Sequence, residues 1–243
     1  MRNSFFTLLF LGLLLLGTRS SAVDTAAVKA ELLERSKTLS SFICDTKMEM
    51  TYKDADLTAQ IETVGAIEYL RGPDGSDLYR SDVYITTRVK GEEAVQQRQL
   101  TVSNGSQTHV VTESAEGREE VTVPTDASSA PQLVGVGFWR QLETEFSVKE
   151  IESRTIEGDE VYVMLADAKS ADSADSSLGP IKSVRFILDR KSSLVTKMEY
   201  LDDAGKVFGV MVFEHYQLNP KLDVMRFKID AKQPSAAEPT KSP

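Results

Sequence analysis

The chain has 243 residues, 41% hydrophobic and 27% charged, with a formal net charge of −9. That length supports a substantial core in one β-rich domain, while the acidic balance excludes a nucleic-acid partner, which needs a basic face, and an anchor on anionic lipid headgroups. The single cysteine, Cys44, excludes an internal disulfide framework and any Cys-based metal spacing.

The first residues speak to export. Arg2, an apolar run from Phe5 to Leu16 and the small residues Ser20-Ser21-Ala22 form the three regions of a secretory signal peptide, 1–22, cleaved after Ala22. The run is short for a membrane span, and an uncleaved anchor is the other reading. Val23 rather than a cysteine stands directly after the cleavage point, so the chain is not expected to be a lipoprotein itself. Next comes "VDTAAVKAELLERSKTLSSF". Val28, Leu32, Leu33 and Leu39 recur at near-helical spacing behind Asp24 as N-cap, which predicts an amphipathic helix over about 24–39.

From Ile43 the pattern turns to period two. It predicts strands over 43–53, 57–71, 77–90, 95–103, 106–113, 118–123, 147–156, 159–167, 181–189, 194–201, 206–217 and 224–230. Asn104-Gly105, Glu157-Gly158-Asp159 and Asp202-Asp203-Ala204-Gly205 supply tight turns between them. Cys44 falls in the first of these strands, where it reads as a small buried hydrophobe. In the middle, Phe138, Leu142 and Phe146 recur at i, i+4 and i+8, so a short helix over about 136–146 is expected. The Ser/Asp/Ala-rich stretch 166–180 reads as an exposed connection, and 232–243 as a disordered tail. One domain over 23–231 follows.

The late strands are unusual. On 206–216, Phe208, Val210 and Val212 alternate with Val207, Met211 and Phe213. On 181–189, Val184, Phe186 and Leu188 oppose Ile187. A sheet with one wet face shows a single apolar set, so both faces here need cover: a helix on one, a second wall or an internal cavity on the other. Ordinary core packing is the alternative. Met164, Met198 and Met211 lie in these strands and suit an irregular apolar surface. At Asn219-Pro220 proline cannot donate to a ladder, so pairing must stop there.

Signals for catalysis are missing. His109 and His215 lie far apart in sequence without a nucleophile motif, and the carboxylates are scattered through turns and solvent faces. No enzyme, cofactor or metal is expected.

Three stretches carry a family resemblance. "LSSF" at 39–42 follows the N-terminal helix, "GAIEYLRGPDGSDLYR" occupies 65–80, and "LDRKSSLVTKMEYLDDAGKVFGVMVFEHYQLNPKLDVMRFKI" occupies 188–229. In order and spacing these are similar to the LolA-like superfamily of periplasmic lipoprotein carriers. The resemblance implies a mainly β (α+β) fold: a single curved antiparallel sheet forming an incomplete β-barrel, closed by helices over a hydrophobic cavity. It also implies a periplasmic carrier, taking acylated lipoprotein or lipid cargo from an inner-membrane release transporter to an outer-membrane acceptor, as a monomer. The acyl-binding residues would be Tyr69, Tyr79, Phe138, Trp139, Phe186, Met198, Met211 and Phe213. Arg71 matches the family's arginine that holds a lid over the cavity, although Gly72 is inserted before Pro73; a surface arginine at a strand end is the plainer reading. The same superfamily contains envelope sensors that detect lipid or lipoprotein without moving it. Such sensors carry a second domain, whereas a polar tail follows here, so the carrier is expected ahead of the sensor.

Overall fold

The computed structural model describes residues 21–53, 58–124, 133–169 and 181–228. The expected signal region up to residue 20, most of the 166–180 connection and the C-terminal tail lie outside them.

Among the described residues, twelve strands form one antiparallel sheet: β1 (Ser21–Ala22), β2 (Ser41–Lys53), β3 (Thr58–Arg71), β4 (Asp77–Val89), β5 (Val95–Ser103), β6 (Gln107–Ser114), β7 (Gly117–Pro124), β8 (Phe146–Ile156), β9 (Asp159–Ala168), β10 (Ser183–Asp189), β11 (Val195–Leu201) and β12 (Val207–Leu218). Their spatial order is β1-β8-β9-β10-β11-β12-β2-β3-β4-β5-β6-β7. Two sequence-local meanders, β2–β7 and β8–β12, therefore meet at the β12–β2 pairing. The edges β1 and β7 do not pair with each other, so the sheet stays open, as the expected incomplete barrel requires. Edge strand β7 exposes Arg118, Glu119 and Glu120 and ends at Pro124, chemistry that discourages a further strand from adding.

Bulges bend this sheet. Register shifts occur in the β8–β9, β10–β11, β11–β12 and β12–β2 pairings. In the last, His215 takes φ 54° and Tyr216 swings to the core side, where its ring meets Phe42 edge-on at 5.6 Å. Gly65 marks a different constraint. A Cβ there would stand 2.2 Å from the Asp82 carbonyl oxygen, so only glycine lets β3 and β4 approach this closely.

Helix α1 (Thr25–Ser36) starts where Asp24 accepts a hydrogen bond from the Ala26 N–H at 3.1 Å, as its N-cap position predicts. It buries Val28 and Leu32. Helix α2 (Gly135–Glu145) buries Phe138, Trp139 and Leu142 and runs directly into β8. Both helices lie over the same sheet face, with α2 packed on β8 and on α1. Burying each large aromatic there contributes roughly 2–3 kcal/mol.

Two expectations are corrected. The expected strand 224–230 does not form over its described part, 224–228: Val224–Phe227 form one turn of 3-10 helix, whose N–H at Met225 is taken by the Asp223 carboxylate at 2.9 Å. This turn carries Phe227 into a buried position, while Arg226 pairs with Glu68 of β3. The second correction concerns the outward apolar residues of the late strands. They meet neither a second wall nor an internal cavity. Val161, Val163, Ile187 and Val212 instead floor an open cleft of about 1150 Å³, rimmed by Arg154, Arg185, Arg190, Lys197 and Glu199. Long charged side chains shelter apolar surface there while their heads stay wet.

The Asn219-Pro220 break has a structural use. Asn219, at φ 52°, accepts hydrogen bonds through Oδ1 from the Ser40 N–H at 2.8 Å and the Ser40 hydroxyl at 3.0 Å. The Ser41 hydroxyl donates to the Pro220 carbonyl at 2.7 Å. The end of β12 is thereby fastened to the entry of β2.

Candidate ligand-binding face

Antiparallel pairing puts cross-strand partners on the same face, so register reads the helix-covered face row by row. One row crosses ten strands: Ile151, Met164, Phe186, Met198, Met211, Met48, Thr63, Ile85, Gln97 and Ser114. Four thioethers and a phenyl ring occupy its β9–β2 part, and hydroxyl and amide groups its β5–β6 part. Met164 and Phe186 are buried, whereas Met198, Met211 and Met48 keep partial exposure. A thioether has three soft torsions and a polarisable sulfur, so this strip can mould itself to a flexible apolar chain.

A second row runs Phe42, Tyr69, Tyr79, Ser103 and Thr108 over β2–β6. Phe42 and Tyr69 stack at 5.2 Å, and the Tyr69 hydroxyl donates to Asp77 at 2.6 Å. None of the positions in either row carries a charge.

Hydroxyl groups on this face are buried without partners. Thr46 is 3% exposed, Thr63 6%, Tyr79 4% and Thr108 1%, and the side-chain oxygen of each lacks a hydrogen bond. An unsatisfied buried hydroxyl costs about 1–3 kcal/mol, so four on one face need a reason. Burial pushes the Tyr79 phenol well above its ordinary value. Ser81, two residues on, tempers that shift without coming into hydrogen-bond geometry with Tyr79 Oη. Burial likewise pushes the Cys44 thiol up to about 12, which keeps it protonated and unreactive.

All eight residues expected to bind an acyl chain lie on this face or on α2. Phe138 and Trp139 meet edge-on at 5.6 Å, Phe138 and Phe186 at 5.6 Å, and Phe146 joins Phe186 at 5.9 Å. Trp139 is wedged toward α1, with Lys29 Nζ 5.8 Å from its ring centre. Met198 and Met211 are cross-strand partners, and Phe213 is buried on the same side opposite Thr46. Tyr69 and Tyr79 sit one strand apart, directly opposite each other, on the other half of the face. Arg71 donates from its guanidinium to the carbonyls of Ser36 and Lys37, each at 3.3 Å, and its N–H donates to Ser40 O at 2.8 Å. It therefore holds the C-terminal end of α1, where helical carbonyls lack partners and a cation is favoured.

Sequence reasoning missed Met48, Tyr216, Thr46, Thr63 and Thr108, and it named Tyr79 for its ring rather than its partnerless hydroxyl. Met48 belongs to the visible alternation "MEM", but only the β12–β2 register sets it beside Met211. The histidines lie apart from this face. His109 contacts the Thr122 hydroxyl at 2.8 Å on the other side of the sheet, and His215 pairs with Asp45 at the exposed bulge.

No family model matches the sequence, and no curated protein matches it. Solved structures do. An uncharacterized conserved protein from Thermus thermophilus aligns at 9% identity over 85% of this chain and 94% of its own, with a TM-score of 0.46. A LolA superfamily protein from Nitrosomonas europaea aligns at 11% identity over 86% of this chain and 99% of its own, with a TM-score of 0.31. A chain of the MucA/MucB complex of Pseudomonas aeruginosa aligns at 14% identity over 86% of this chain with a TM-score of 0.43, and this chain spans only 62% of that chain's length. Likeness at this level concerns general architecture and says nothing of function.

Proposed function

We propose that this chain is a periplasmic carrier that takes the acyl chains of a lipoprotein or related lipid on the helix-covered face and moves them between membranes. The methionine row carries this reading: Met198, Met211 and Met48 are adjacent across three strands, partly exposed and free of charge. Each CH₂ transferred from water to that strip contributes about 0.8 kcal/mol. The soft thioether lining grips less tightly than a rigid core, which permits release to an acceptor. The helices serve as the cover, and Arg71, through the end of α1, is the residue that holds it down.

Native mass spectrometry of protein purified from the periplasm tests the proposal. The carrier co-purifies with acyl-bearing cargo, and Met211→Asp releases it while circular dichroism stays unchanged. Protein that arrives empty and fails to bind an acylated peptide overturns it.

A second reading is a binding module for another protein, supported by the charge-rimmed cleft on the opposite face. Stoichiometric recovery of a protein partner, lost on Ile187→Asp but not on Met211→Asp, would favour this reading.

A further inference from the structure

We infer that the acyl-binding face selects its ligand by head group, accepting chains that end in a neutral ester or amide and rejecting carboxylates and phosphates. This rests on the acyl-binding reading and adds to it which class of amphiphile fits. Thr63 is the cross-strand partner of Met48, and Thr46 lies two residues before Met48 on the same strand and face, opposite Phe213. Their hydroxyls are therefore next to the thioether strip, where a chain would hand over to its polar end. Both are buried and neither has a partner. Tyr79 and Thr108 offer two more such hydroxyls further along the face.

The chemistry of this set is specific. A hydroxyl donates to a carbonyl oxygen and accepts from an amide N–H, so it satisfies neutral esters and amides. Neither cross-strand row offers a Lys or Arg to offset an anion. A carboxylate or phosphate drawn in would lose its water without gaining a counter-charge, an expensive transfer. The basic residues of the late strands instead line the outward cleft, which is balanced by acids such as Glu199 and Glu160.

The test is displacement of a fluorescent C18 acyl probe from the full-length exported protein at pH 8 by monooleoylglycerol and by oleate. These ligands share a chain and differ in head. Monooleoylglycerol should compete about tenfold better, the worth of one or two ordinary hydrogen bonds. The double variant T46V/T63V should lose this preference while still binding the probe, and Thr108→Val serves as a second, independent variant. Thermal melts guard against misfolding, and removing partnerless hydroxyls should leave the midpoint unchanged or raised. Equal competition by oleate, or a preference that survives in T46V/T63V and in Thr108→Val alike, overturns the inference and leaves acyl binding standing. Failure of the probe to bind wild-type protein overturns the acyl-binding reading itself, and the head-group inference with it.

Discussion

The two meanders share one sheet and differ in what they show the helices. The β8–β12 meander presents Met164, Phe186, Met198, Met211 and Phe213, packed under Phe138 and Trp139 of α2. The β2–β7 meander presents Thr46, Thr63, Tyr79 and Thr108, buried with their hydroxyls unpaired. Both alternate with period two, so pattern alone makes them look alike. The lesson is that one half gains stability by burying apolar surface, whereas the other has given up stability by burying hydroxyls that nothing satisfies. A sheet selected only for folding would not be so divided.

The sharpest way to break this comparison is to cut one residue from each half. Phe186→Ala should cost about 3–5 kcal/mol in chemical denaturation. Thr63→Val, on the same cross-strand row, should fall within about 1 kcal/mol of wild type or stabilise, because it removes an unsatisfied group. Equal losses would erase the distinction. Gly65→Ala comes next. Its methyl group would meet β4 backbone rather than a movable side chain, and an overpacking loss of about 2–3 kcal/mol is expected, with faster amide exchange in β3 and β4.

Arg71→Ala should cost about 1 kcal/mol, since its two carbonyl contacts are long and partly wet. Its clearer signature is faster hydrogen exchange confined to the end of α1, with the β10–β11 pairing unaffected. Acidification gives the smallest effect and touches both halves. In the first, the Tyr162 hydroxyl and Arg190 hold Glu31 below its usual range. In the second, burial works to raise Asp82, but Arg98 and Arg80 outweigh it and hold the carboxyl low. A carboxylate held low when folded binds its proton more readily when unfolded. Its stabilisation is therefore complete above the ordinary carboxylate value and lost as pH falls through the lowered one. Denaturation midpoints should fall below about pH 4. Tyr162→Phe and Arg98→Met should each flatten that decline.

Much of the fold was legible in the sequence because periodicity and caps are local. Asp24, Phe138 and the alternating strands fall where spacing puts them. The final turn was not, because "VMRF" alternates as a strand would, and only the Asp223 cap and the anchoring of Phe227 decide otherwise. The candidate site was legible as a set of apolar residues but not as a surface. Met211 and Met48 become neighbours only through a pairing between distant segments, and Tyr216 is turned inward by a bulge whose positive φ at His215 has no sequence signal.

That same β12–β2 pairing bears on how the molecule assembles. Each meander is built from contacts between neighbours in sequence, which close quickly, while the join between them closes the longest loop in the sheet and should form late. It is also where the sheet should open first, with the Asn219 contacts to Ser40 as its clasp. Since the methionine row crosses this join, any occupant lying along the row would bridge two independently forming units. Occupancy would then be read out as slower unfolding, concentrated at one pair of strands in the middle of the sheet.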